Sequence, residues 1–310
     1  MASTPFSSLD DYIALPRVEG LALSPDGTRV VLTVATLKKD ATGYERALWA
    51  VPADGSGAPV RLTRSAKGES GASFTASGDV LFVSARPDVE GDADDESGQL
   101  WLLPAAGGEA RAVTRLAGGV GGVAATAEAS DRVVLAAELL PGADTLEAEA
   151  ALRARRKEKK VSAILHETYP VRYWDHDLGP AEPHLLALDL GGLADALPVR
   201  GAAAASSEVD AAATAATASG VDDKAPAPYA PELPRPRDLT PQPGRSADVA
   251  GAALSPDGST LVASMRVSEQ RDGRYVLVGI DTESGARTTL FDEAAVDFES
   301  PVISHDGTKI

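Results

Sequence analysis

Apolar positions along the chain come in short β-rich runs, and a turn introduces each run. The stretch L-A-L-S-P-D-G-T-R-V-V-L from Leu21 to Leu32 returns as A-A-L-S-P-D-G-S-T-L-V-A from Ala252 to Ala263, and a shortened copy, V-I-S-H-D-G-T-K-I, occupies Val302 to Ile310. Two weaker copies lie between, S-F-T-A-S-G-D-V-L-F-V from Ser73 to Val83 and A-T-A-E-A-S-D-R-V-V-L from Ala125 to Leu135. Pro25 presets φ for a turn, while Asp26 and Gly27 supply the side-chain cap and the positive-φ position, so S-P-D-G joins two antiparallel strands. Arg29 to Val34 is then a strand. A third strand follows in each unit, at Ala47–Pro52, Gln99–Pro104, His184–Asp189 and Val276–Asp281. A short fourth comes after it, at Arg61–Thr63, Ala112–Thr114, Asp238–Thr240 and Thr288–Leu290.

Gly27 and Gly78 lie 51 positions apart, and Gly78 and Ser130 lie 52 apart. Four antiparallel strands in ~40–50 residues make one blade of a β-propeller. The predicted fold is therefore all-β, a propeller of four-stranded antiparallel blades with about four blades complete and a fifth begun, occupying 1–310 as one partial domain. Ser130 and Gly258 are 128 positions apart, and the excess falls into two insertions in the third blade, at about 139–183 and 191–237. The first holds a helix candidate, Asp144–Leu165, with acids early and bases late as the helix dipole favours. Its cations Arg153, Arg155, Arg156, Lys157, Lys159 and Lys160 read as a solvated face balanced by Glu147, Glu149 and Glu158. The second insertion is Ala/Ser/Thr-rich and then Pro-rich. Gly201 to Lys224 lacks large apolar side chains and is expected to be mobile or disordered.

Charge narrows the partners. With 29 Lys+Arg against 46 Asp+Glu the net charge is −17, a field that repels phosphate backbones and anionic bilayers, so neither nucleic acid nor membrane is an expected partner. The absence of cysteine removes disulfides, thiolate zinc sites and cysteine nucleophiles together. Met1 to Leu15 has no basic n-region and carries Asp10 and Asp11 where an apolar core would sit, and no run reaches the ~18 apolar residues of a membrane span. The expectation is a cytoplasmic protein.

Familiar catalytic signatures are missing. No G-x-S-x-G elbow occurs; the nearest stretch, G-E-S-G-A at Gly68–Ala72, has its second glycine one place early and reads as lying between strands. The four histidines, His166, His176, His184 and His305, show no zinc-ligand spacing, and His176 between Asp175 and Asp177 reads as a surface residue before a metal ligand. G-G-V-G-G at Gly118–Gly122 lacks the lysine and helix of a phosphate loop and reads as the lead-in to a blade. No cofactor, metal site or catalytic residue is expected in this chain. The dense segment is H-E-T-Y-P-V-R-Y-W-D-H-D-L-G-P, His166–Pro180, an inserted loop of the kind that carries recognition. Two readings fit it: a rim that contacts substrate or a partner domain, or an aromatic clasp on its blade with Arg172 and Asp175 as an internal ion pair. The substrate-binding candidates are Glu167, Arg172, Tyr173, Trp174, Asp175 and Asp177.

L-D-D-Y-I-A-L-P-R-V-E-G-L-A-L-S-P-D-G (Leu9–Gly27), the fifty-residue blades and Y-P-V-R-Y-W-D-H (Tyr169–His176) together resemble a known family. The chain is similar over its whole length to the N-terminal propeller of prolyl oligopeptidase family serine peptidases, in the acylaminoacyl-peptidase and dipeptidyl-aminopeptidase branch. The resemblance implies a propeller of seven or eight blades capping a C-terminal α/β-hydrolase domain that carries Ser, Asp and His, admitting short peptides and excluding folded proteins. It implies acyl transfer through a Ser–His–Asp triad located outside these residues. Because the repeat stops inside a fifth blade, the sequence reads as a truncated one, with no peptidase activity of its own. In some relatives propeller acids hold the free amino terminus of the peptide, and Glu167, Asp175 and Asp177 are the local candidates. The alternative is a non-enzymatic propeller acting as a cytoplasmic protein-binding scaffold.

Overall fold

The computed structural model describes residues 4, 6–88, 97–166, 170–172, 174–175, 177–191, 193, 228–269 and 272–310. After a short helix, α1 (Leu9–Ile13), the described residues form four four-stranded antiparallel sheets in chain order. Blade 1 is β1 (Arg17–Leu23), β2 (Arg29–Leu37), β3 (Tyr44–Pro52) and β4 (Val60–Arg61). Blade 2 is β5 (Ser70–Phe74), β6 (Val80–Ser84), β7 (Gln99–Leu103) and β8 (Arg111–Ala112). Blade 3 is β9 (Gly122–Thr126), β10 (Arg132–Leu139), β11 (Glu182–Asp189) and β12 (Arg237–Asp238), with helix α2 (Leu146–Glu158) between β10 and β11. Blade 4 is β13 (Ala247–Leu254), β14 (Thr260–Glu269), β15 (Asp272–Asp281) and β16 (Arg287–Phe291). First strands touch in series, β1 to β5, β5 to β9 and β9 to β13, which is how blades are arranged around a propeller axis. No helix among the described residues is long and apolar enough to cross a membrane.

The three S-x-D-G turns are built alike, atom for atom. Ser24, Ser255 and Ser304 each donate Oγ–H to the aspartate two residues on, at 2.6 Å in every case, and accept the amide five residues on at 2.9, 2.9 and 3.0 Å. Gly27, Gly258 and Gly307 take φ of 69°, 79° and 69°, values that a side chain resists. The serine hydroxyl and then the Thr28 or Ser259 amide hold Asp26 and Asp257 at about 2, against an ordinary 3.8. Asp306 sits at about 2 through Ser304 and Thr308. The turn at Ser304–Lys309 is complete, and no strand follows it among the described residues.

Three fourth strands end two residues short of the expectation, whereas β16 contains the expected Thr288–Leu290. β4, β8 and β12 end before the threonine of R-L-T, A-V-T and D-L-T, because the threonine side chain takes over from the ladder. Leu62, Val113 and Leu239 each donate their amide to the carbonyl of Leu48, Leu100 or Leu185. The hydroxyl oxygens of Thr63, Thr114 and Thr240 then accept those same leucines' amides at 2.9, 3.0 and 2.9 Å. One x-[Leu/Val]-Thr tripeptide thus satisfies both backbone groups of a buried third-strand residue in each of blades 1 to 3.

Inner blades bury both faces, which explains their unbroken apolar runs. Val80, Phe82 and Trp101 face blade 1, while Leu81, Leu100 and Leu102 face blade 3. Val133, Leu135 and Leu188 face blade 2, and their neighbours Val134, Leu185 and Ala187 face blade 4. Period 2 makes one strand serve two cores. Blade 1 has one covered face, through Val31 and Leu48. On its other face Val18, Leu21 and Leu23, which pair with Val34, Leu32 and Val30, are 61%, 70% and 56% exposed.

Candidate functional site

The first insertion in blade 3 is built on α2. Thr145 caps it, accepting the Ala148 amide at 3.1 Å, with Glu147 and Glu149 in the first turn and Arg155, Arg156 and Lys157 in the last. The helix stops at Glu158, short of the expected Leu165: Lys160 takes φ 50° and the Val161 amide closes on the Arg156 carbonyl. Glu149, only 3% exposed, seats the helix by pairing with Arg153 and accepting the Leu140 amide. Arg153 also donates to the Glu138 carbonyl at 2.6 Å, and its guanidinium lies where a Cβ on Gly118 would fall. The glycine run is close packing: Gly119 has φ 75°, and a Cβ there would sit 2.7 Å from the Gly98 carbonyl oxygen.

Glu147 does not balance the helix cations as expected. It holds the returning chain, accepting from Arg235 at 2.6 and 2.7 Å and from the Tyr229 amide at 3.0 Å, and the Arg235 guanidinium keeps its carboxyl well below the usual range. Glu158 does pair with a helix-end cation, Lys159, at 2.5 Å.

Of the His166–Pro180 segment, His166, Gly179 and Pro180 share a cavity lining with Leu152 and Arg156 of this helix. Of the six candidates, Arg172, Trp174, Asp175 and Asp177 are described; Glu167 and Tyr173, with His176, lie outside the described residues, as does the whole of 201–224. Arg172 forms an ion pair with Asp177 at 3.4 Å and an isolated β-bridge to it, and the Leu178 amide donates to the Val171 carbonyl, with Pro170 and Leu178 buried as footings. Arg172 thus has an ion-pair partner two residues beyond the expected Asp175. Trp174 is 94% exposed, so it pins nothing. The loop holds an indole out into solvent.

At the foot of that loop lies a cavity of ≈ 420 Å³ between α2, Gly179–Glu182 and the Arg245 loop. Leu140, Leu152, Ile164 and Leu165 give it apolar wall. Arg156, His166, Glu182 and Arg245 supply its charged and titratable groups. Arg156 donates to the Ala163 carbonyl at 3.1 Å and Arg245 to the Gly179 carbonyl at 2.5 Å; neither has a carboxylate partner among the described residues. Arg156 was visible as part of a basic run. Arg245 carried no signal, because it reaches the site across 66 positions.

Other sequence candidates are structural. Ser70 of G-E-S-G-A begins β5 instead of lying between strands. Buried His184 bonds through Nδ1 to Asp238 at 2.9 Å, tying β11 to β12, and His305 pairs with Glu128 of blade 3. No metal-ligating cluster occurs among the described residues.

No protein-family model and no curated protein matches the chain. Solved structures do. The orthorhombic crystal form of Pyrococcus horikoshii acylaminoacyl peptidase superposes with a TM-score of 0.52 at 9% identity, over 91% of this chain and 33% of that one. Its uncomplexed form gives 0.52 at 10%, over 90% and 32%. The chain shares its fold with acylaminoacyl peptidase. At these identities the likeness is one of fold, a propeller of four-stranded blades, and the chain spans about a third of the length of the peptidase it matches. A Mycobacterium tuberculosis puromycin-hydrolyzing peptidase aligns more loosely, with a TM-score of 0.43 at 13% identity over 90% and 30%.

Proposed function

We propose that this chain is the propeller part of a cytoplasmic serine peptidase of acylaminoacyl- or dipeptidyl-peptidase type. Its role there is to govern the access of short peptides to an α/β-hydrolase domain elsewhere in the protein. The observation that carries the reading is the match of the four-blade arc, across nine-tenths of its length, to acylaminoacyl peptidase. The blade 3 insertion supplies substrate contact, with Trp174 as its exposed anchor and Glu167, Arg172, Tyr173, Asp175 and Asp177 as further candidates in the same stretch of sequence. An indole held in solvent is costly unless something covers it, and tryptophan is prominent among residues that dominate binding.

In the full-length native protein, Trp174→Ala is expected to raise KM for short peptide substrates about tenfold, the size of a modest anchor contact. The melting temperature should not move. An unchanged KM, together with an unchanged specificity constant in Glu167→Gln, Asp175→Asn and Asp177→Asn, would take the insertion out of the substrate path.

A further inference from the structure

We infer that the cavity between α2, Gly179–Glu182 and Arg245 is a subsite for a free carboxylate on an aliphatic body, the chemistry of the C-terminal end of a short peptide. The charge is the first reason. In a chain of net charge −17, two half-buried guanidiniums face one cavity, and Glu182 is the single carboxylate among the described residues of its lining. Each guanidinium spends one Nη2 donor on a backbone carbonyl and has no carboxylate among the described residues, which leaves further N–H donors of both available. Planar guanidinium donors match the two oxygens of a carboxylate.

The walls are the second reason. Leu140 is buried, Leu152 is half-buried, and Ile164 and Leu165 are exposed at the rim, so an aliphatic side chain entering beside the carboxylate would cover apolar surface that now meets water. A volume of ≈ 420 Å³ falls within the usual range of small-ligand sites. The basic end of α2 adds attraction: Arg155 and Lys160 are exposed beside Arg156, and a negatively charged ligand would be drawn toward that end of an otherwise acidic surface.

The inference deepens the peptide-binding reading above, but its test does not depend on catalysis. Acetyl-Ala-Ala-Leu is titrated into the full chain by calorimetry as the free acid and as the C-terminal amide. The free acid should bind about tenfold or more tightly than the amide, the usual weight of a charge-assisted contact. Arg156→Gln and Arg245→Gln should each erase most of that preference while leaving the far-ultraviolet spectrum unchanged, and Lys157→Gln, outside the lining, should keep it within twofold. Equal binding of acid and amide, or no binding of either, overturns the proposal, as does a Lys157→Gln loss as large as that of Arg156→Gln. Hexanoate competing as strongly as the peptide would overturn the peptide assignment in favour of free acyl carboxylates. A native protein without a reactive serine would sink the peptidase reading and leave the acid-over-amide preference standing.

Discussion

Replacing Thr114 by Val puts a more apolar residue of nearly the same volume into a fully buried position, and burial alone would make the change neutral or stabilising. The hydrogen bonding points the other way. The Thr114 hydroxyl oxygen is the acceptor for the Leu100 amide at 3.0 Å and donates to Gln99 Oε1 at 3.0 Å. Gln99 Oε1 keeps the Leu116 amide at 3.0 Å as a second partner, so it survives the change. Leu100 does not: it is fully buried, no water reaches it, and its N–H is left bare at a cost of about 1–3 kcal/mol. Thr114→Ser keeps the acceptor and loses one methyl, worth ~1 kcal/mol. Valine should therefore be the worse of the two, with a urea midpoint lowered by roughly 1 M. Thr63→Val and Thr240→Val remove the equivalent acceptors for Leu48 and Leu185 and should cost similar amounts, adding independently because the sites lie in different blades with no shared partner. A Thr114→Val protein within ~0.5 kcal/mol of the parent, or more stable than Thr114→Ser, would refute the argument that this threonine closes the blade.

Two further predictions rest on the turns and the glycine run. Asp26, Asp257 and Asp306 sit at about 2 in the fold against 3.8 when free, so between those values the unfolded chain binds more protons than the folded one and stability rises with pH. Urea unfolding followed from pH 2 to 5 should show that rise, with the full contribution present above pH 4, and Asp257→Asn should flatten it; parallel curves would contradict the assignment. Gly119→Ala forces a side chain into φ 75° and against the Gly98 carbonyl, for about 2–4 kcal/mol, whereas Gly118→Ala has an ordinary φ and meets the Arg153 guanidinium in place of backbone, so it should cost less than Gly119→Ala. Thermal melts of the two variants separate these outcomes, and equal losses would mean that the run is not held by backbone packing at Gly119.

The blades were legible because three levels agree: the S-P-D-G turn, the two-residue alternation and the near-fifty spacing all mark the same boundaries. Where reading and structure part, a side chain has replaced a backbone bond. Thr63, Thr114 and Thr240 looked like strand residues because β-branched side chains favour strands; their hydroxyls end the ladder instead. Helix α1 is not legible in the sequence: Ser8 followed by Asp10 and Asp11 is a capping signal, but its five residues show no helical period. The expected helix runs past Glu158 because nothing in Lys159–Lys160 announces a left-handed turn. The site was half legible. An aromatic, charged loop in an insertion points to recognition from composition alone, but the cavity at its foot is assembled from α2, Gly179–Glu182 and Arg245, and no local pattern brings those together.

The central claim, that these blades belong to a serine peptidase, is tested most directly by treating the native protein, as expressed from its own gene, with a fluorophosphonate probe. The account predicts one labelled serine in that protein and none in the 310-residue chain, with labelling blocked by short peptide substrates. A native protein that carries no labelled serine would contradict it.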